Sequence, residues 1–328
     1  MHPHMNEIDQ LMQRYDGAVP GASLLVVRDG KPVVRKSYGL ADVPSNIRAA
    51  PETNYRLASV TKQFTAAAIL LLMEDGKLRL DDPIRKYFPS LPVRLDPVTV
   101  QHLLTHTSGI IDYEDVIAPG TTEQLHDADV LRLMESQDSL YFQPGRSYRY
   151  SNGGYALLAL LVQKVSGKSF AAFLHDRIFT PLGMSHTVAF ENGISTVTHR
   201  AYGHTLRNNA WVQKDQSITS AVLGDGGIYS SIDDLRKWDA ALYDSRLLSD
   251  ESRRLAFSPH TDTDTKDVKY GFGWHITGDL IWHTGGTSGF RNVIIRNPSH
   301  RTTVVILTNR DNPEPYDTAL AIMKLFTN

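Results

Sequence analysis

In RLASVTKQFTAAAILLLM (56–73), Ser59 and Lys62 stand three residues apart at the head of an otherwise apolar run. From Phe64 onward the run reads as a helix buried on most of its surface. Spacing of i, i+3 places both side chains on one helix face. A buried ammonium without a partner is unfavourable by several kcal/mol. At a helix start, free backbone N–H groups surround the serine. Burial and the positive end of the helix dipole both favour the neutral amine. A neutral amine beside a serine hydroxyl has the chemistry of a general base and its nucleophile. The same residues also fit a serine cap followed by a lysine that reaches water. Average composition supplies about one Ser-x-x-Lys in a chain this long, so the pair needs support from elsewhere.

Two further segments bear on it. In YRYSNGGYALLALLVQKV (148–165), Tyr150 and Asn152 sit in a loop that enters a helix. A phenol there could move a proton, and an amide could hold a lysine or a substrate carbonyl; a capped turn uses the same residues. In IWHTGGTSGF (281–290) a strand ends in His283-Thr284-Gly285-Gly286. Its glycines let a ligand approach the backbone closely. The Gly286 N–H could form half of an oxyanion hole and the Ser59 N–H the other half. The bland alternative is a glycine-rich turn with an incidental histidine.

Competing motifs fail residue by residue. Gly167-Lys168-Ser169 has Val162 where a phosphate loop needs its first glycine. His102 and His106 have zinc-ligand spacing, but Leu103 replaces the glutamate of that motif. Gly286 to Phe290 lacks the last glycine of a nucleophile elbow, and Gly224-Asp225-Gly226-Gly227 lacks dinucleotide spacing.

These residues need a scaffold, and the chain provides one. GASLLVVRDGKPVVRKSYG (21–39) is a hairpin around Asp29-Gly30. Further strands lie in YGFGWHI, DLIWHTGG and FRNVIIRNPSHRTTVVILTN, with turns at Gly278-Asp279 and Asn297-Pro298-Ser299. Helical patterns fall at about 59–75, 98–105, 128–136, 153–166, 169–177 and 232–243, and again in the tail EPYDTALAIMKLF. The expected fold is α/β (α+β), with an antiparallel sheet built from both chain ends and flanked by helices. Residues 1–58 and 266–328 would form the sheet domain and 59–265 an inserted, mostly helical domain. The stretches 186–220 and 259–268 read as surface loops.

The 328 residues carry 34 basic and 36 acidic side chains, for a net charge of −2, with 41% hydrophobic residues. That balance gives no footprint for nucleic acid or an anionic membrane. The chain has no cysteine, which excludes disulfides and thiolate chemistry. Ala66 to Met73 is too short to span a bilayer. MHPHMNEIDQLMQRY lacks the pattern of a secretory signal and reads as an amphipathic helix through Ile8, Leu11 and Met12. This favours a cytoplasmic protein, or a periplasmic or secreted one if a signal has been removed.

Taken in order, Ser-x-x-Lys, Tyr-x-Asn and His-Thr-Gly resemble the serine β-lactamase and penicillin-binding protein superfamily. The branch is the class C-like one, with its carboxylesterases, D-aminopeptidases and DD-peptidases. HLLTHTSGI (102–110), FQPGRSYRYSNGGYALL (142–158), TPLGM (180–184), GDGGIYSSIDDLRKW (224–238) and YGFGW (270–274) extend the likeness over nearly the whole chain.

The resemblance implies a β-lactamase/transpeptidase-like fold with its active site in the cleft between the two domains. Ser59 would be the nucleophile, Lys62 its basic partner and Tyr150 a proton carrier to the leaving group, with either Lys62 or Tyr150 taking the serine proton. Asn152, His283, Gly285, Gly286 and Tyr113 would contact substrate. No metal or organic cofactor is required. The implied substrates are small-molecule esters, amides or β-lactams. His283 stands where such β-lactamases usually carry lysine. Asp112, Tyr113 and Glu114 fall about where they carry a glutamine. Both departures point toward esterases and peptidases and away from efficient β-lactam hydrolysis.

Overall fold

The computed structural model describes residues 3–328, so the first two residues of the N-terminal stretch lie outside it. Its central element is an eight-stranded sheet whose pairings are all antiparallel. From edge to edge the strands are Thr261–Asp262, Lys269–Tyr270, His275–Thr277, Leu280–Thr287, Phe290–Asn297, Thr302–Thr308, Ala22–Arg28 and Lys31–Tyr38. The N-terminal hairpin therefore joins the sheet beside the last strand, with Val26 opposite Val304. Its turn takes positive φ at both central residues, 49° at Asp29 and 77° at Gly30, as the twist of a two-residue hairpin requires.

Alternation along the strands divides the core in two. Leu24, Val26, Val293, Ile295 and Ile306 face one way and are covered by the terminal helices Met5–Leu11 and Tyr316–Thr327. Leu25, Val27, Ile294, Val305 and Leu307 face the other way and merge with the main helical core. The helix Lys62–Glu74 runs through that core and is buried from Lys62 to Leu72. This explains why the apolar run has no polar face. The helix Asn152–Ser166 packs beside it and is also largely buried. Among the described residues no single helix is long and apolar enough to cross a membrane.

The boundary between helical insertion and sheet was expected at 265/266. Thr261–Asp262 already belongs to the sheet. Helix Ile232–Ala241 packs on Ala22–Arg28 and Thr302–Thr308 of the sheet, and Trp238 on it also donates to Gln63 Oε1 of the helix Lys62–Glu74 at 3.0 Å. Asp239, next to Trp238, accepts from Arg296 Nε at 2.7 Å and from Thr303 Oγ1 at 2.8 Å, and both partners are strand residues. The stretch 186–220 also holds more than loop. Val188–Ala189 joins Tyr55–Arg56 and Ile228–Ser230 in a small sheet, and His204–Arg207 pairs with Ala210–Gln213 as a hairpin.

Candidate active site

The serine is not at an α-helix N-terminus. Ala58–Thr61 form a 3₁₀ turn, and the α-helix starts at Lys62. Ser59 caps nothing by its side chain. Ala58, immediately before it, has φ 51°, a left-handed conformation that disfavours a residue with a Cβ. The turn is held from outside: Leu57 N–H donates to Ile228 O at 2.8 Å, and Asn292 Nδ2 donates to Arg56 O at 2.8 Å. Gly285 lies against it so closely that a Cβ there would sit 2.2 Å from Leu57 O and 3.0 Å from Ser59 N. Glycine at 285 is thus what lets the strand touch the serine turn.

Lys62 is fully buried, and its Nζ has three neighbours. Ser59 Oγ is at 3.0 Å, Asn152 Oδ1 at 2.8 Å and the Asp225 backbone carbonyl at 2.9 Å. Asn152 Nδ2 donates in turn to Glu114 Oε1 at 3.0 Å, which fixes the amide's orientation. Burial pushes the Lys62 pKa down, against the opposing pull of Asp225 and Glu114. Burial pushes the Asp225 carboxyl up, with Lys62 acting the other way. The Tyr150 ring centroid lies 4.7 Å from Lys62 Nζ. The Tyr150 pKa is raised well above the usual phenol value by burial, with the nearby Ser59 hydroxyl opposing, so the phenol keeps its proton.

A polar pocket of about 100 Å³ opens in front of this group, walled among others by Ser59, Tyr113, Glu114, Asn152, Asp225 and Gly286. Tyr113 is buried and donates to Asp225 Oδ2 at 3.4 Å.

His283, expected to contact substrate, is not among the residues that wall that pocket. It is 2% exposed, with Nδ1 2.6 Å from Thr284 O and Nε2 2.9 Å from Tyr270 Oη. A carbonyl can only accept, so Nδ1 carries the proton and Nε2 accepts from the tyrosine. Burial, with help from His275 and Lys62, holds its pKa well below the usual imidazole value. It is a neutral ring behind Tyr150, 6.2 Å away centroid to centroid.

Several contributing residues carry no motif of their own. Asp225 acts through its main chain. His106 accepts the Ser151 N–H on Nδ1 at 2.9 Å and packs on the Tyr150 ring at 4.3 Å, so it helps to orient Tyr150. His102 is occupied in capping its own helix through Thr99.

Residues 6–326 match the model of the Beta-lactamase family. The chain belongs to the beta-lactamase family. Within it, this beta-lactamase-family chain is 32% identical to "Penicillin-binding protein 4*" of Bacillus subtilis (strain 168) over 91% of its own length and 70% of that protein's. It is 30% identical to "Protein flp" of Staphylococcus aureus (strain N315) over 92% of itself, and it spans 62% of that relative. The solved octameric penicillin-binding protein homologue from Pyrococcus abyssi superposes with a TM-score of 0.87 at 29% identity. That match covers 98% of this chain and 76% of the other. The fold is thus the β-lactamase/transpeptidase-like one, in a superfamily of the serine hydrolase type.

Proposed function

We propose that the protein hydrolyses short acyl esters through an acyl-enzyme on Ser59, with Lys62 as the base. The observation that carries this is the environment of Lys62 Nζ. Two of its three neighbours, the Asn152 amide oxygen and the Asp225 carbonyl, can only accept. A neutral amine has two N–H bonds, and those two oxygens take both. Its lone pair then faces Ser59 Oγ. Ser59 Oγ attacks the ester carbonyl carbon as its proton passes to Nζ. The oxyanion forms beside the N–H groups of Ser59 and Gly286. Collapse breaks the bond to the alcohol, which leaves with a proton from Tyr150 that Lys62 replaces. Water then attacks the acyl-enzyme, giving its proton back through the same groups, and the acid is released.

A volume of about 100 Å³, well under that of ordinary ligand pockets, suits a few acyl carbons. Glu114 on its wall repels anionic acyl groups such as penicillins. The same side chain favours a second reading, an amidase or peptidase for D-amino acids, whose free ammonium it would attract. The test is intact mass after brief incubation with p-nitrophenyl butyrate, a penicillin and a D-alanyl peptide, with Ser59→Ala as control. Rapid ester turnover with little stable penicillin adduct supports the esterase. Peptide cleavage with a long-lived penicillin adduct moves the assignment to the peptidase. No adduct with any of the three overturns both.

A further inference from the structure

We infer that Asp127, on the far side of the loop from Ser59, is a positioning residue for Lys62. The inference rests on Ser59 and Lys62 carrying the reaction as proposed above. Asp127 opens the helix Asp127–Glu135 and is buried. Burial pushes its carboxyl pKa up, with hydrogen bonds from the Leu223 and Gly224 backbone opposing. A buried carboxylate without a cation is costly unless hydrogen bonds replace its water. Here both oxygens serve one loop: Oδ1 accepts the Leu223 N–H at 2.7 Å and Oδ2 the Gly224 N–H at 3.0 Å. The next carbonyl, that of Asp225, is the one that receives Lys62 Nζ.

The loop is held from the other side too. Thr65, on the helix that carries Lys62, donates through Oγ1 to Gly224 O at 2.7 Å. A Cβ on Gly224 would lie 2.3 Å from Tyr155 O, so the loop has no slack toward the Asn152–Ser166 helix. Asp127 and Thr65 together fix where the Asp225 carbonyl points, and hence which way Lys62 directs its N–H bonds and its lone pair. Without Asp127 the Leu223 and Gly224 N–H groups must find other partners, and the carbonyl moves with them. Small displacements of a base are expensive: about 1 Å costs on the order of 10²-fold in rate.

The test compares Asp127→Asn, which keeps one acceptor, with Asp127→Ala, which keeps none, and with Thr65→Val, which releases the opposite latch. Each is assayed for kcat and KM on p-nitrophenyl butyrate, for labelling rate with a serine-reactive phosphonate, and for Tm. The expected result is a fall in kcat of roughly 10-fold for Asn and 10²-fold for Ala, with a smaller fall for Thr65→Val. KM should stay within about twofold and labelling should slow in parallel, as fits an interaction needed in the transition state. Unchanged kcat in folded Asp127→Asn and Thr65→Val overturns the inference, whether or not Asp127→Ala folds. So does a loss confined to Tm or KM. Turnover surviving in Ser59→Ala would instead remove the reading on which the inference stands.

Discussion

Lys62 has its charge state set by what surrounds it: burial, two oxygens that cannot donate and a hydroxyl that can. Lys62→Met keeps the length and apolar stem but offers no lone pair. It should lower kcat/KM for p-nitrophenyl butyrate by about 10³-fold or more, with Tm held or raised, because a buried amine has been removed. The pH dependence follows from the same burial. The unfolded lysine holds its proton up to about pH 10.4, whereas the folded one gives it up earlier. The unfolded state therefore binds more protons between the two values, and stability contributed by this group rises with pH across that window. Activity needs the amine unprotonated, so kcat/KM should rise through a pKa below 10. A flat profile from pH 6 to 10 would deny Lys62 the role of base. Ser59, Lys62, Tyr150 and Asn152 were picked out by the order of three motifs, each weak alone, and the structure brings their side chains together. Asp225 was not picked out, since a backbone carbonyl leaves no mark on residue type. His283 was read as facing substrate because chain position does not reveal that Tyr270 and Thr284 claim both its nitrogens.

At the scale of elements, the site depends on a strand touching a turn. Gly285 permits that contact, and Gly285→Ala is the direct probe. With a Cβ 2.2 Å from a carbonyl oxygen, either the strand end or the Ser59 turn must shift. The expected outcome is a loss of roughly 10²-fold in kcat with a lowered Tm, read by steady-state kinetics and thermal melts. Wild-type kinetics would mean that the contact is dispensable. The strands and long helices could be anticipated because alternation and apolar runs are strong over eight or more residues. Tyr55–Arg56, Val188–Ala189 and Ile228–Ser230 are too short to alternate visibly. The hairpin at 204–213 escaped notice because three of its four positions in His204–Arg207 are not buried, so no apolar face announces it. The N-terminus of the serine helix was misplaced for a related reason. A 3₁₀ turn and the first α turn place Ser59 and Lys62 close together alike, so i, i+3 spacing does not separate them.

For the molecule as a whole, the helix Ile232–Ala241 is bolted to the sheet by the Asp239–Arg296 ion pair, whose two side chains are each about 1% exposed. Breaking one side of a buried pair strands the other charge. Asp239→Asn should therefore cost about 3–5 kcal/mol in urea unfolding. The pair lies outside the pocket walls, so kcat per folded molecule should be retained. A loss within 1 kcal/mol would show that the pair is replaceable. The common sheet of both chain ends was visible in advance, because two apolar hairpin-like regions at opposite ends each need a partner face.

That shared sheet has a consequence for how the protein is made. Ala22–Arg28 leaves the ribosome well before its neighbour on one side, Thr302–Thr308, has been translated. At roughly 5–20 residues per second, the first hairpin waits on the order of 15 to 60 seconds with an apolar edge unpaired. During that interval Leu24, Leu25, Val26 and Val27 are open to any strand that passes. The serine turn, which leans on Leu280–Thr287, likewise cannot be set before that later strand has emerged.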